Sequence, residues 1–201
     1  MCFVERDLGI HAFEYMAGLF TVIIGLAVVD LAISFHKLAR HRRSVTWDPL
    51  ALLAALYSLL LAITMWFKIW GIRDVPEIGH YFFYLTLCAE YFLLFLVAAA
   101  SLPDDPNETC DLRSYYDGNR QYLWTLVVLF QISNAGHALY FFTHGLNATW
   151  THIGLSFVIP TVVAMLLLAT RVRKVHYLGL VILLGLLMFD RAFEAITMVT
   201  R

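Results

Sequence analysis

The chain has 201 residues, 61% of them hydrophobic and only 14% charged, with a formal net charge of −1 and a mean hydropathy of +0.73. Soluble domains carry about 25% charged residues, so a water-soluble globule is excluded, because its surface would have to be apolar. Charge is segregated into short loops and no broad basic face exists, which disfavours nucleic-acid binding.

A hydrocarbon core about 30 Å thick takes roughly 20 apolar helical residues to cross. Six stretches meet that requirement, at about 11–35, 49–70, 81–102, 122–142, 153–170 and 177–199. They are rich in Leu, Ala, Val and Phe without period-two alternation, which argues against a β-barrel. The pattern predicts an all-α polytopic transmembrane bundle of six helices, a single domain over 1–201, with every backbone donor satisfied inside its own helix. Glu5, Arg6 and Asp7 precede the first span and His36 to Arg43 follow it, the wrong order for a cleaved signal peptide. That span is therefore expected to be a retained helix.

Lys and Arg set orientation. The loops after spans one, three and five carry Lys37, Arg40, Arg42, Arg43, Arg113, Arg120, Arg171, Arg173 and Lys174. The opposite side holds Arg6, Lys68, Arg73 and Arg201, so both termini are expected outside. The segment from Pro103 to Gln121 also carries Asp104, Asp105, Glu108, Asp111 and Asp117, which weigh little in this rule. Trp47, Trp66, Trp70, Trp124 and Trp150 fall near span ends, where indole rings favour the headgroup layer. Cys2, Cys88 and Cys110 form neither a disulfide framework nor a zinc motif. Two glycosylation sequons, at Asn107 and Asn147, fall on opposite faces in this topology and read as chance matches.

Ionisable groups within spans are functional candidates by default. Here they are Glu14, Asp30, Lys68, Glu90, His137, Asp190, Arg191 and Glu194. All but Asp30 fall between the midplane and the outer surface. Asp190 and Glu194 are four apart and share a helix face, which is repulsive unless a cation or proton intervenes, while Arg191 can reach Glu194. Gln131, Asn134 and His137 recur at three-residue steps and form a polar stripe, expensive against lipid, that should face the bundle or a wet cavity. Span five has no ionisable residue and carries Pro160, so it is expected to support the others or face lipid.

These positions point to an outward-facing polar cavity, with Glu90 and His137 as deep titrating groups, Asn134 on the same stripe, and Asp190, Arg191 and Glu194 around them. The competing structural reading is that Glu14, Lys68, Arg191 and Glu194 pair and pin helix register, or that Lys68 snorkels to the interface. Two histidines on facing helices could hold a haem, or three a metal, but no compact histidine motif is present and no cofactor is predicted. The cluster Lys37, Arg40, Arg42 and Arg43 beside a span end either determines topology or attracts anionic lipid headgroups. Asp30, Ser34 and Lys37 share one face leading into that loop.

Three segments resemble those of uncharacterised small multi-spanning bacterial membrane proteins: Gly25 to Asp30 running on to His36-Lys37-Leu38, Trp47-Asp48-Pro49-Leu50, and Asp111 to Tyr116. The resemblance covers roughly the first two-thirds of the chain. It implies a bacterial inner membrane and gives weight to Asp30 and His36, but brings no activity, substrate or cofactor. The leading expectation is a small transport or ion-conducting protein, proton-linked and assembled as a homo-oligomer. A non-transporting subunit of a larger membrane-protein complex is the second expectation, and a haem or metal oxidoreductase the third.

Overall fold

The computed structural model of the chain describes residues 2–71, 80–104, 110–143 and 154–199, with side chains for 13–14, 17–69, 80–104, 110–143 and 154–189. Among these the fold is an all-α bundle of six helices: α1 (Cys2–Arg40), α2 (Pro49–Gly71), α3 (Tyr81–Ala99), α4 (Leu112–Thr143), α5 (Ile159–Ala169) and α6 (Arg173–Val199). Four stretches are long and apolar enough to cross a membrane: Ala17–Arg40 of α1, Pro49–Ile69 of α2, α3 and α4. A shorter apolar stretch, Gly154–Ala169, covers α5 and the turn before it.

Packing follows a closed circuit. α1 contacts α3, α3 contacts α4, α4 contacts α5, α5 contacts α6, α6 contacts α2, and α2 returns to α1. α2 also touches α3 and α4, which draws it into the middle. Its composition suits that place: Ala51, Ala54 and Ala62 are buried and let neighbouring backbones approach, while Tyr57, Leu61 and Met65 fill the space between. Phe20 of α1 stacks on Tyr91 of α3 with centroids 4.5 Å apart, fastening the circuit on one side.

The outside of the bundle is apolar. Leu19, Val22, Leu26, Val29 and Ile33 form an exposed stripe along α1, and Val158, Val162, Met165 and Leu166 form another around α5. In water such stripes would be an aggregation hazard far larger than soluble monomers tolerate. Against acyl chains they cost nothing, which supports a membrane-embedded protein.

Helix α4 departs from expectation. Its apolar span was predicted from about Tyr122, yet the helix starts ten residues earlier, at Leu112. Asp111 begins it by accepting a hydrogen bond from the backbone N–H of Arg113 at 3.0 Å, which satisfies an otherwise orphaned donor. Hydropathy sees only the apolar part; the added turns are amphipathic and bury Leu112, Tyr116 and Arg120. Trp124 consequently lies well inside the helix, 1% exposed, and not at an interface. A two-residue parallel bridge, Val45↔Cys110 and Thr46↔Asp111, ties the α1–α2 connection to the start of α4.

Before α5, residues Gly154–Val158 form a π-helical turn. Pro160 follows at the start of α5. It cannot donate to the carbonyl four residues back, and its ring crowds that carbonyl; widening the preceding turn relieves both.

Candidate functional site

Glu90 sits mid-way along α3 and is 2% exposed. Its Oε2 lies 2.5 Å from Nδ1 of His137 on α4, and Ser133, one turn before His137, donates to the same oxygen at 3.3 Å. The other ring nitrogen, Nε2, lies 2.9 Å from Thr86 Oγ1. Thr86 is one turn before Glu90 on α3, exposed at the surface, and donates its own hydroxyl proton to the Phe83 carbonyl at 2.7 Å. The site is therefore a carboxylate, an imidazole and a hydroxyl in line, running from the buried α3–α4 seam to the outside.

Proton accounting follows from these partners. With the Thr86 hydroxyl committed to Phe83, Nε2 must carry a proton and donate it to Thr86. One further proton then lies between Nδ1 and Glu90 Oε2, as an imidazolium–carboxylate ion pair or as a neutral acid donating to the ring. A hydroxyl–imidazole–carboxylate series has the order of a nucleophile, base and orienting acid. In this arrangement, however, the ring donates to the hydroxyl and cannot also deprotonate it. The chemistry on offer is holding and exchanging a proton.

Aromatic rings surround the imidazole: Phe83 packs edge-on against His137 and contacts Tyr140 and Phe141, and the exposed Tyr81 and Phe82 begin α3.

The polar stripe of α4 divides. Three-residue steps drift by about 60° each, so Gln131 and His137 point to different neighbours. Gln131 donates to Tyr57 Oη of α2 at 3.4 Å. With Tyr57, Asn134, Lys68 of α2, Ser156 of the π turn, Pro160 and Leu187, it lines a cavity of about 30 Å³, room for roughly two water molecules. The Lys68 ammonium lies 4.8 Å from the centroid of the Phe157 ring and so turns into the bundle, not out to the interface. Span five, expected to take no part, supplies Ser156, Pro160 and this ring. The described lining of the cavity contains neither Glu90 nor His137, so the expected grouping of those two with Asn134 around one space is not what the described residues form. Asp190, Arg191 and Glu194 belong to α6, but their side chains lie outside the described residues, as do both sequons and the side chains of Trp70 and Trp150.

At the opposite end, polar groups meet that sequence reasoning did not single out. Arg173, in the first turn of α6, donates through one nitrogen to both oxygens of Asp48 at 2.6 and 2.7 Å, and through the other to Asp117 at 2.9 and 3.1 Å. Trp124 donates to Tyr116 Oη at 3.0 Å. Tyr116 bonds His176 Nδ1 at 2.7 Å, and His176 Nε2 reaches the Thr170 carbonyl at 3.1 Å. Since a carbonyl only accepts, Nε2 carries a proton. Burial pushes the imidazole pKa below the usual value, which favours the neutral ring with Nδ1 accepting from Tyr116. Arg120 also donates to the Thr170 carbonyl. Two of the resembling segments, Trp47 to Leu50 and Asp111 to Tyr116, contribute Asp48 and Tyr116 here. The signal available beforehand was their short polar motifs beside helix starts.

In α1, Ser34 donates to Asp104 Oδ1 at 3.4 Å and Lys37 to the Asp104 carbonyl at 2.7 Å, so the shared face read from sequence reaches the segment that follows α3. Asp30 Oδ2 is buried with no hydrogen-bond partner among the described residues. His36 is exposed, about 240° around the helix from Asp30, so the two do not form a pair. Glu14 is exposed. No group of three His, Cys, Asp or Glu side chains converges among the described residues. No family model matches the chain, and no curated protein or solved structure matches it.

Proposed function

We propose that this chain is a small integral membrane transport protein, proton-linked, in which Glu90 and His137 carry the proton. The observation that supports this reading most is the buried carboxylate–imidazole contact, which reaches an exposed hydroxyl through the second ring nitrogen. A side chain that only pinned helix register would not need such an outlet. The cavity beside Tyr57, Lys68, Gln131 and Asn134, on another side of α4, is the proposed station for the transported polar solute or ion. We place the protein in a bacterial inner membrane with six crossings, both termini outside, and the Arg173 end in the cytoplasm. Arg40, Arg42 and Arg43 are exposed at that end and suit anionic headgroups, whereas Lys37 is directed to Asp104. Assembly as a homo-oligomer is part of the proposal, since six helices enclose little volume.

Reconstituted vesicles loaded with a pH-sensitive dye test it. The wild type should dissipate an imposed pH gradient, and Glu90→Gln and His137→Phe should each slow that by at least about tenfold. Equal rates in all three, or none in the wild type, would remove the proposal.

The small cavity, with neither Glu90 nor His137 among its described lining residues, favours one second reading, a non-transporting subunit of a larger membrane complex. It predicts no proton flux and a partner in fixed stoichiometry on gentle purification.

A further inference from the structure

We infer that Thr86 is a positioning residue for His137, its hydroxyl turning between two partners so that Nε2 stays hydrogen-bonded in both charge states of the Glu90–His137 pair. The inference rests on the proton-carrying role proposed above. In the state described, Nε2–H donates to Thr86 Oγ1 and the Thr86 hydroxyl donates to the Phe83 carbonyl. When the pair gives up one proton, to water at the outer headgroup layer, Nδ1–H remains on Glu90 and Nε2 is left as a bare acceptor. A rotation about the Thr86 Cβ–Oγ1 bond then points the same hydroxyl proton at Nε2. The Phe83 carbonyl is within helix α3 and keeps its backbone donor, so the rotation orphans nothing.

Only a group that is both donor and acceptor can serve both states. His137 is partly buried; away from water a ring nitrogen without a partner costs about as much as a lost hydrogen bond, and without Thr86 both states would carry that cost. Among the described residues the titratable group on the imidazole is Glu90 from α3; Ser133 shares its carboxylate, and Tyr140 of the same helix as His137 lies against Phe83.

The test is nitrogen-15 magnetic resonance of the full-length protein in lipid nanodiscs with labelled histidine, His137 being assigned by its loss in His137→Asn. The wild type should show Nε2 protonated, and Thr86→Ser, which keeps the hydroxyl, should match it. Thr86→Val should shift the Nε2 resonance away from its hydrogen-bonded position in both the protonated and the bare ring, since either state loses its partner there. Thr86→Ala should do the same and serves if the valine variant does not fold. Wild-type spectra in both apolar variants, or a serine variant that behaves like valine, would overturn the inference. Proton flux is read separately, so its absence would sink the transport reading and leave this result standing.

Discussion

Arg173 holds two aspartates, Asp48 just before α2 and Asp117 on α4, and the two contacts are unequal. Asp48 is 7% exposed, so removing the guanidinium leaves a buried carboxylate unpaired. Arg173→Ala should therefore destabilise the bundle by about 3 kcal/mol or more, whereas Asp117→Ala, which removes the exposed partner, should cost under about 1 kcal/mol. Thermal unfolding in detergent of the two variants distinguishes them. His176 adds a pH dependence of definite sign. Its folded pKa lies below the unfolded value of 6.5, so the unfolded chain binds more protons. The stability it supplies is present above that value and lost as pH falls below it. The unfolding midpoint should drop between about pH 7 and pH 5, and His176→Phe should flatten that slope. Single residues were partly legible beforehand. Glu90 and His137 stood out because charge deep in a span is costly, but their pairing links positions 47 apart in the chain, and Ser133 and Thr86 look ordinary in sequence. Asp48 and Arg173 were hidden for another reason: Arg173 at a span end read as a topology signal, and Asp48 stood out only within the resembling segment Trp47 to Leu50, neither as a partner of the other.

Helices were the most legible elements, because an apolar run of bilayer length admits few other structures. Their ends were not. Polar turns that continue α4 beyond the span bury Tyr116 and Arg120 against α5 and α6, and such turns carry no hydropathy signal. Pro160 announced a disturbance but not its form, a π turn that brings Ser156 to the cavity. The α5–α6 seam is set by Gly179. A Cβ there would meet Leu167 side-chain carbons at 2.7 to 3.0 Å, and Leu167 is fully buried with little room to retreat. Gly179→Ala should therefore cost about 1–3 kcal/mol through overpacking. Gly185, one and a half turns on in α6, has nothing within 4 Å of such a carbon; its alanine variant should unfold at the wild-type temperature, which makes it the matched control.

For the molecule as a whole, apolar stripes outside and polar contacts within give a bundle suited to a bilayer. Its two ends do different things. The Arg173 end is a closed set of satisfied groups that fixes α2, α4 and α6 together. The Glu90 end has one buried pair with an exposed hydroxyl beside it, and a small polar cavity across α4. Composition foretold the bundle; it did not foretell the Arg173 end, where arginines counted only for orientation lock the helices together. The account turns on whether the Glu90–His137 pair exchanges its proton. Infrared spectra of the protein in lipid, recorded through a pH titration, read this directly. A buried-carboxyl band, or the imidazolium band coupled to it, should change with pH in the wild type and vanish from the difference spectrum in Glu90→Gln. Difference spectra identical in the wild type and Glu90→Gln across the whole titration would mean the pair is static, and the proton-carrying role would be wrong.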